Sequence, residues 1–416
     1  MPAAWSVVSR GSVAAFNGAG YGSAAVGDAV AQSSGERGAD SRFFPRIESL
    51  RGVAALMVAV FHSIHLLPID GVDKLYLRTV FDLEGPATVV ARLLMGVFNG
   101  AAAVSLFFVI SGLVLRLALD RETRGPDAVA TSFVARRFFR IYPALGTNLL
   151  MMFAVGWALH LAWPAAYTSA PTPTALLRNL LLVDVPINGA TWSLQVEFLA
   201  VPFFLAAHFA TRRFGSRAIV VFVLFLILAL FRSRLFFRFH LVSDFMFMFG
   251  LGMVVADFAP RLIARLTRRR AGGLFALGLA LLLGARLVIG YTSRWSLLVE
   301  GIGGAIVVAL VTYGPAIRPI AWLDPAPVRA LGRISYSFYL YHPLFLMTFV
   351  GPLLGSPVLA TGRAEWPLVL GLAIALVTIP PTWLVGALSH RLVERGAIGF
   401  GRRQEKRLLA AVARQG

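Results

Sequence analysis

Apolar segments recur along this chain, and most of them are long enough to cross a lipid bilayer. A spanning helix needs about 20 predominantly apolar residues. Segments of this kind lie at 50–67, 100–119, 141–163, 190–209, 218–231, 241–258, 272–291, 297–317, 334–354 and 366–388, of which 218–231 is short. We therefore predict an all-α fold, a polytopic membrane protein with about ten transmembrane helices.

The composition agrees with this prediction and limits the chemistry. The chain has 416 residues, of which 58% are hydrophobic and 14% charged. These values exclude a disordered chain and argue against a water-soluble domain. The absence of cysteine excludes disulfides, a thiolate nucleophile and a cysteine metal site. We expect no metal and no permanently bound cofactor, so any catalysis must use His, carboxylates, Arg, Ser or Tyr.

The net charge of +19 comes from 39 Lys and Arg against 20 Asp and Glu. One basic patch would suggest a nucleic-acid partner, but these residues are distributed over the loops between the apolar segments. Most of them fall on the cytoplasmic side if the N-terminus lies there, as the positive-inside rule requires. We predict that both termini are cytoplasmic, that the loops contact anionic membrane lipids, and that no nucleic acid binds.

The chain divides into three parts. Residues 1–41 are rich in Gly, Ala and Ser and lack the continuous apolar stretch of a signal peptide. We interpret them as a disordered tail or the product of a mis-assigned start codon. Residues 42–395 form the predicted transmembrane domain, and 396–416 a basic cytoplasmic tail.

Ionisable residues inside membrane spans are costly and often functional. Arg51 and His62 are eleven residues apart on the first predicted helix, which is three turns or about 16 Å along one face. In the predicted topology Glu197 lies at a depth similar to that of His62. A histidine with an orienting carboxylate results if their helices are adjacent, and an interhelical hydrogen bond is the structural alternative.

Two further groups of polar residues have both functional and structural interpretations. His342 follows a run of Ser and Tyr residues that either lines a cavity or forms an aromatic packing seam. Arg137 and Arg140 lie one turn apart just before the apolar segment that begins at Ile141. Guanidinium groups at this spacing suit a phosphate or pyrophosphate, and a positive-inside flank explains them equally well.

Taken in order, these elements resemble the acyltransferase-3 family of integral membrane enzymes. The motifs are Arg-x10-His at 51–62, Phe-Phe-Val-Ile-Ser-Gly at 107–112, Arg-x-x-Arg-Ile-Tyr-Pro at 137–143, Trp-Ser-Leu-x-x-Glu at 192–197, and Ser-Tyr-x-x-Tyr-Leu-x-His at 335–342. In one respect the chain departs from the pattern, since Phe198 stands where the family often has a second acid.

The resemblance implies an O-acyltransferase of the cell inner membrane. Such an enzyme moves an acyl group, most commonly acetyl, from cytoplasmic acyl-CoA to a hydroxyl of an extracytoplasmic or membrane-linked carbohydrate. It implies His62 as general base, assisted by Glu197 and Arg51. It also implies that the donor, whose phosphates Arg137 and Arg140 would bind, contacts further polar residues, namely Ser111, Tyr336 and His342.

Other interpretations stay open at this point. His65 and Asp70 have the His-x4-Asp spacing of glycerolipid acyltransferases, although two residues at a fixed gap are a weak motif. The membrane-bound O-acyltransferase superfamily is another enzyme class. A transporter or flippase of an anionic glycan or lipid also needs intramembrane charges and broken helices, and Pro380-Pro381 would suit one. CoA-dependent acylation of a glycan distinguishes the enzyme from the transporter.

Overall fold

The computed structural model describes residues 44–65, 72, 74–164, 167–354, 362 and 365–412. The predicted N-terminal tail lies outside the described residues, and so does Asp70 of the His-x4-Asp motif. The main helices are α1 (Pro45–His65), α2 (Pro86–Val97), α3 (Gly100–Asp120), α4 (Pro126–Ala162), α5 (Pro173–Leu180), α6 (Trp192–Phe214), α7 (Arg217–Phe231), α8 (Met246–Ile263), α9 (Arg268–Val288), α10 (Arg294–Tyr313), α11 (Ala326–Leu354), α12 (Pro367–Ser389) and α13 (Arg395–Val412).

The helices confirm the prediction of an all-α polytopic membrane protein. Within the described ranges, eight helical stretches are long and apolar enough to cross a membrane. Each of the ten predicted segments overlaps a helix. Two of these helices differ from the eight: α7 has only 15 residues, and α11 carries a polar Ser, Tyr and His run in its first half. The count of about ten spans and the cytoplasmic termini stay predictions.

Helix α1 lies against α11, α12 and α3, and glycines allow its closest approach to α11. A methyl group added at Gly52 would lie 2.5 Å from the backbone nitrogen of Gly332, and one at Gly332 would lie 2.5 Å from the carbonyl oxygen of Glu48. Small residues at helix crossings let backbones come together in membranes. This crossing brings the Arg51 end of α1 next to the start of the polar run on α11.

Helix α3 packs against α8 in a similar way. A methyl group at Gly112 would meet the carbonyl oxygen of Phe249 at 2.1 Å. Nearby, the buried Arg116 guanidinium donates to both carboxylate oxygens of Asp257, at 3.0 and 3.2 Å. The two helices are thus held together by close backbone contact and by a buried ion pair.

Helix α4 begins earlier than the apolar segment 141–163 predicts. It runs for 37 residues from Pro126 to Ala162 and contains Pro143. Proline at the first helical position and Asp127 in the first turn both favour a helix start there, and Val129 and Phe133 are buried in the protein. Arg137 and Arg140 therefore lie inside a continuous helix, where the sequence placed them in a flank.

The residues predicted as a basic C-terminal tail are also helical up to Val412. Helix α13 continues from α12 through a π turn at His390–Glu394 and packs against α4. The ring centroids of Phe139 and Phe400 are 5.5 Å apart, and a methyl group at Gly401 would lie 2.5 Å from Cβ of Phe139. The C-terminal helix is thus part of the packed structure around α4.

Candidate active site

Most of the predicted site residues line one cavity of about 510 Å³, which we call the basic cavity. It lies between α1, α3, α4, α6, α11 and α13. The predicted residues that it brings together are Arg51, Ser111, Arg137, Arg140, Glu197 and Tyr336. Arg136 and Arg402 line it as well. The motif residues from five helices therefore form a single site, and guanidinium groups dominate its charge.

Glu197 lies in the basic cavity and is bound to its neighbours there. One carboxylate oxygen accepts hydrogen bonds from Arg137 Nη2 at 2.8 Å and from Ser111 Oγ at 3.2 Å. Phe198, which replaces the family's second acid, packs its ring on Tyr142 at 5.8 Å. Glu197 thus holds α3, α4 and α6 together at the cavity wall.

The expected contact between Glu197 and His62 is not formed. The segment before α6 carries Asn179, Asn188 and Thr191, which are all fully buried. These side chains satisfy the turns that precede α6. Glu197, about one turn and a half into α6, lines the basic cavity, whereas His62 lines a different cavity. The prediction of Glu197 as the partner of His62 is therefore wrong in its geometry.

Arg140 and Tyr336 also line the basic cavity. The Arg140 guanidinium lies 5.6 Å from the centroid of the Tyr336 ring and hydrogen-bonds Glu394 of the π turn. Tyr336 donates from its hydroxyl to the carbonyl oxygen of Ile141 at 2.8 Å. Glu394 also accepts from Ser337 Oγ at 3.1 Å. This network fixes the beginning of α11 against α4.

The edge of the basic cavity contains a second acidic partner. Arg136 Nη2 donates to Glu122 at 2.6 Å, and Arg124 donates to the same carboxylate at 2.9 Å. Glu122 lies in the connection between α3 and α4. Burial raises the pKa of its carboxyl, but the hydrogen bonds from these two guanidinium groups outweigh burial and hold that pKa below its usual value.

His62 and His342 are in direct contact, and neither of them lines the basic cavity. His62 Nδ1 lies 2.8 Å from His342 Nε2, and the two rings stack at 5.0 Å with 7° between their planes. His342 Nδ1 lies 2.6 Å from the carbonyl oxygen of Tyr339. That carbonyl has no helical donor because the residue four positions on is Pro343, which lacks an N–H.

This geometry determines the tautomer of both neutral rings. A carbonyl oxygen only accepts, so His342 must donate from Nδ1 to Tyr339 and its Nε2 is an acceptor. His62 must then donate from Nδ1 to His342. The remaining nitrogen of His62, Nε2, carries a lone pair and is free to take a proton. The partner that orients His62 is thus a histidine rather than a carboxylate.

His62 lines a second cavity of about 180 Å³, which we call the aromatic cavity. Five of its other lining residues are aromatic, and one carries a guanidinium group. They are Phe61, Trp192, Phe245, Tyr291, Tyr339 and Arg286. Such a mixture of apolar faces with a few placed polar groups is typical of small-molecule sites.

Sequence reasoning did not single out Arg286, although it lies inside the apolar segment 272–291. It lies in α9, and its Nε donates to Glu300 of α10 at 2.8 Å. Its Nη1 donates to the Tyr291 carbonyl at 2.6 Å. Asn99 and Ser105 also donate to Glu300, at 3.5 and 3.3 Å. The signal was present, since an Arg and a Glu inside adjacent apolar segments need partners.

The two cavities lie at different levels of the bundle. On α3, Val104 lines the aromatic cavity and Ser111 the basic cavity, a separation of seven residues or about 10 Å along the helix. Phe107 lies between them, and its ring is 5.8 Å from that of Tyr339. The Phe107 and Tyr339 rings therefore lie at the level between the two cavities.

No group of three or more His, Cys, Asp or Glu side chains that could hold a metal ion occurs among the residues that the structure describes. His65 lies one turn beyond His62, and its Nδ1 contacts the Phe61 carbonyl at 3.2 Å. It does not line either of the two cavities.

Fold and site together define a polytopic helical membrane protein with a cavity lined by arginines and a pair of hydrogen-bonded histidines. The sequence of residues 44–385 matches the acyltransferase-3 family, whose description is "Acyltransferase domain". The chain therefore belongs to this family and is a membrane acyltransferase, which confirms the resemblance found in its motifs.

Two relatives extend this assignment. A protein of Shigella phage Sf6 named O-acetyl transferase is 29% identical over 201 residues, which are 45% of this chain and 52% of the phage protein. The match thus spans about half the length of that relative. A Komagataeibacter xylinus protein named as a membrane-bound transacylase is 26% identical over 330 residues, 73% of this chain and 74% of its own. No solved structure matches the chain.

Proposed function

We propose that this protein is an O-acyltransferase that moves an acetyl group from cytoplasmic acetyl-CoA to a carbohydrate hydroxyl across the cell inner membrane. The observation that carries the proposal is the chain of contacts from the Tyr339 carbonyl through His342 to His62. It leaves Nε2 of His62 as a hydrogen-bond acceptor beside a cavity large enough for part of a sugar. The relative named O-acetyl transferase supports acetyl as the group transferred.

The basic cavity is the proposed site of the CoA phosphates. The side chains of Arg137 and Arg140 are at most 33% exposed, and each is paired with one carboxylate. A guanidinium group has five N–H donors. Each of them therefore retains donors for a phosphate. Arg51 lines the same cavity and makes no hydrogen bond or ion pair to a described residue, so its N–H donors are not committed to another side chain. The pantetheine arm would then extend towards Phe107 and Tyr339.

The aromatic cavity is the proposed site of the acceptor. The ring faces of Trp192, Phe245 and Tyr291 suit the apolar C–H faces of a sugar, while Arg286 supplies a hydrogen-bond donor. As the acceptor oxygen attacks the thioester carbon, His62 Nε2 takes the hydroxyl proton and negative charge passes to the carbonyl oxygen. The C–S bond then breaks as the carbonyl re-forms, and His62 returns the proton to the CoA sulfur.

His342 acts in this mechanism as a positioning residue. When His62 is protonated on both nitrogens, its Nδ1–H still donates to His342 Nε2, so the hydrogen bond at 2.8 Å is kept in both states. The base therefore changes charge without losing its orientation. Preorganisation of this kind lowers the barrier because no group has to move during proton transfer.

Replacement of His62 by Ala tests the proposal. We expect CoA release from acetyl-CoA and acetylation of surface glycans to be lost, by a factor of about 10² to 10⁴, since that is what a general base contributes. Activity is measured as CoA release in membranes and by mass spectrometry of surface glycans from a deletion strain that expresses each variant. Expression and membrane insertion must be normal.

The control is His65→Ala, one turn along the same helix and outside both cavities, which should retain activity. A normally inserted His62→Ala protein with full activity would eliminate His62 as the base. Movement of a glycan or lipid without consumption of acetyl-CoA by the unaltered protein would instead favour a transporter.

A further inference from the structure

Helix α13 forms one wall of the basic cavity, although it lies beyond residues 44–385, which match the family. Ile398, Gly401 and Arg402 all line this cavity. The wall that they form is therefore supplied by a part of the chain that the family motifs do not describe.

The position of α13 is fixed by several contacts to α4. Glu405 accepts a hydrogen bond from Ser132, and one of its carboxylate oxygens lies 3.5 Å from Arg136 Nη1. Phe400 and Gly401 pack on the Phe139 ring. Since Phe139 precedes Arg140 on α4, these contacts place Arg402 close to the guanidinium groups of that helix.

The charges in the basic cavity are not balanced. Arg136, Arg137 and Arg140 are paired with Glu122, Glu197 and Glu394, respectively. Arg51 and Arg402 form neither a hydrogen bond nor an ion pair within the part of the chain that the structure describes. Two cations without a hydrogen-bonded carboxylate in one cavity favour an anion with more than one charge.

The two unpaired cations differ in depth. Arg402 is solvent-exposed, whereas Arg51 is half-buried in α1. An acyl-CoA whose thioester points towards His62 must leave its nucleotide at the mouth of the basic cavity. The outermost charged group of that nucleotide is the 3′-phosphate of the adenosine, and the diphosphate lies further in.

We propose that Arg402 binds the adenosine 3′-phosphate of the acyl-CoA donor, so that the C-terminal helix completes the donor site. This inference rests on the proposed function, because it takes the donor to be acyl-CoA. Phosphate of a lipid headgroup has the same chemistry, and the two sources differ in whether a soluble nucleotide competes for the arginine.

The experiment compares CoA with 3′-dephospho-CoA on purified full-length protein in detergent, using isothermal titration calorimetry. We expect Arg402→Gln to weaken CoA binding roughly threefold to tenfold, the range for a partly exposed charged hydrogen bond. The same substitution should leave 3′-dephospho-CoA binding unchanged, because that ligand lacks the group that Arg402 contacts.

The matched control is Arg403→Gln. Arg403 is the next residue on α13, lies against the Phe400 ring at 5.8 Å and does not line the basic cavity. Its replacement should leave the affinity for both nucleotides unchanged. Both variants change an exposed side chain, so both should keep the thermal unfolding temperature of the unaltered protein.

Three results would overturn the inference. If Arg402→Gln and the unaltered protein bound CoA with equal affinity, Arg402 would not belong to the donor site. The proposed function would stay intact. Equal weakening of both nucleotides would exclude the 3′-phosphate as its ligand. If Arg402→Gln and the unaltered protein bound CoA equally well in vesicles containing phosphatidylglycerol, Arg402 would be assigned to a lipid headgroup. Failure of the unaltered protein to bind CoA at all would instead contradict the proposed function as well.

Discussion

Pro343 is the residue on which the orientation of the proposed base depends. Its missing N–H leaves the Tyr339 carbonyl open, and His342 donates to that carbonyl at 2.6 Å. In Pro343→Ala the helix recovers a backbone donor for this oxygen, which then competes with His342. We expect kcat for acetyl transfer to fall about tenfold, a part of the full contribution of a general base, while KM for acetyl-CoA stays unchanged.

The same substitution should make the protein more stable, because proline is the least favourable residue in a helix interior. Lower kcat together with a higher unfolding temperature distinguishes a positioning role from a structural one. Pro380→Ala, which makes the same change in α12, is the control and should leave kcat unchanged. Full activity of Pro343→Ala would show that the Tyr339 carbonyl does not determine the tautomer of His342.

At the scale of helices, the pair Arg116 and Asp257 joins α3 to α8. Both side chains are 5% exposed, so Asp257→Asn leaves a buried guanidinium without its main partner. Arg116 keeps a contact to Asp120 at 2.6 Å, and we expect a loss of about 3 kcal/mol in the free energy of unfolding. Unfolding in detergent, followed by circular dichroism, measures it.

The exposed pair of Arg46 and Asp324 provides the comparison. Its side chains are 33% and 47% exposed, and surface pairs contribute less than about 1 kcal/mol. Asp324→Asn should therefore have a small effect. Similar losses in the two variants would mean that the pair between α3 and α8 is not effectively buried.

Helix periodicity predicted much of the site, and depth was harder to predict. Arg51 was grouped with His62 on one helix face, but it lines the basic cavity with Ser111, while His62 lines the aromatic cavity three turns away. The pairing of Glu197 with His62 was wrong because sequence periodicity does not show which helices are neighbours, and Glu197 faces Arg137 and Ser111 instead. The early start of α4 was missed because its arginines fit a loop flank equally well.

For the whole molecule, the direction of the proposed reaction depends on which cavity faces the cytoplasm. The positive-inside rule places the connection between α3 and α4, next to the basic cavity, on the cytoplasmic side. It places the connection between α9 and α10, next to the aromatic cavity, on the opposite side. A cytoplasmic donor and an extracytoplasmic acceptor require this orientation, so a test of topology is also a test of the proposed reaction.

Because the chain has no cysteine, single cysteines can report this orientation without background. Thr123 and Thr292 are exposed residues in these two connections, and each is replaced by Cys in turn. In intact spheroplasts a membrane-impermeant maleimide should label Thr292→Cys and leave Thr123→Cys unlabelled until the cells are lysed. The reverse pattern would place the basic cavity outside, away from cytoplasmic acetyl-CoA, and the proposed direction of transfer would be wrong.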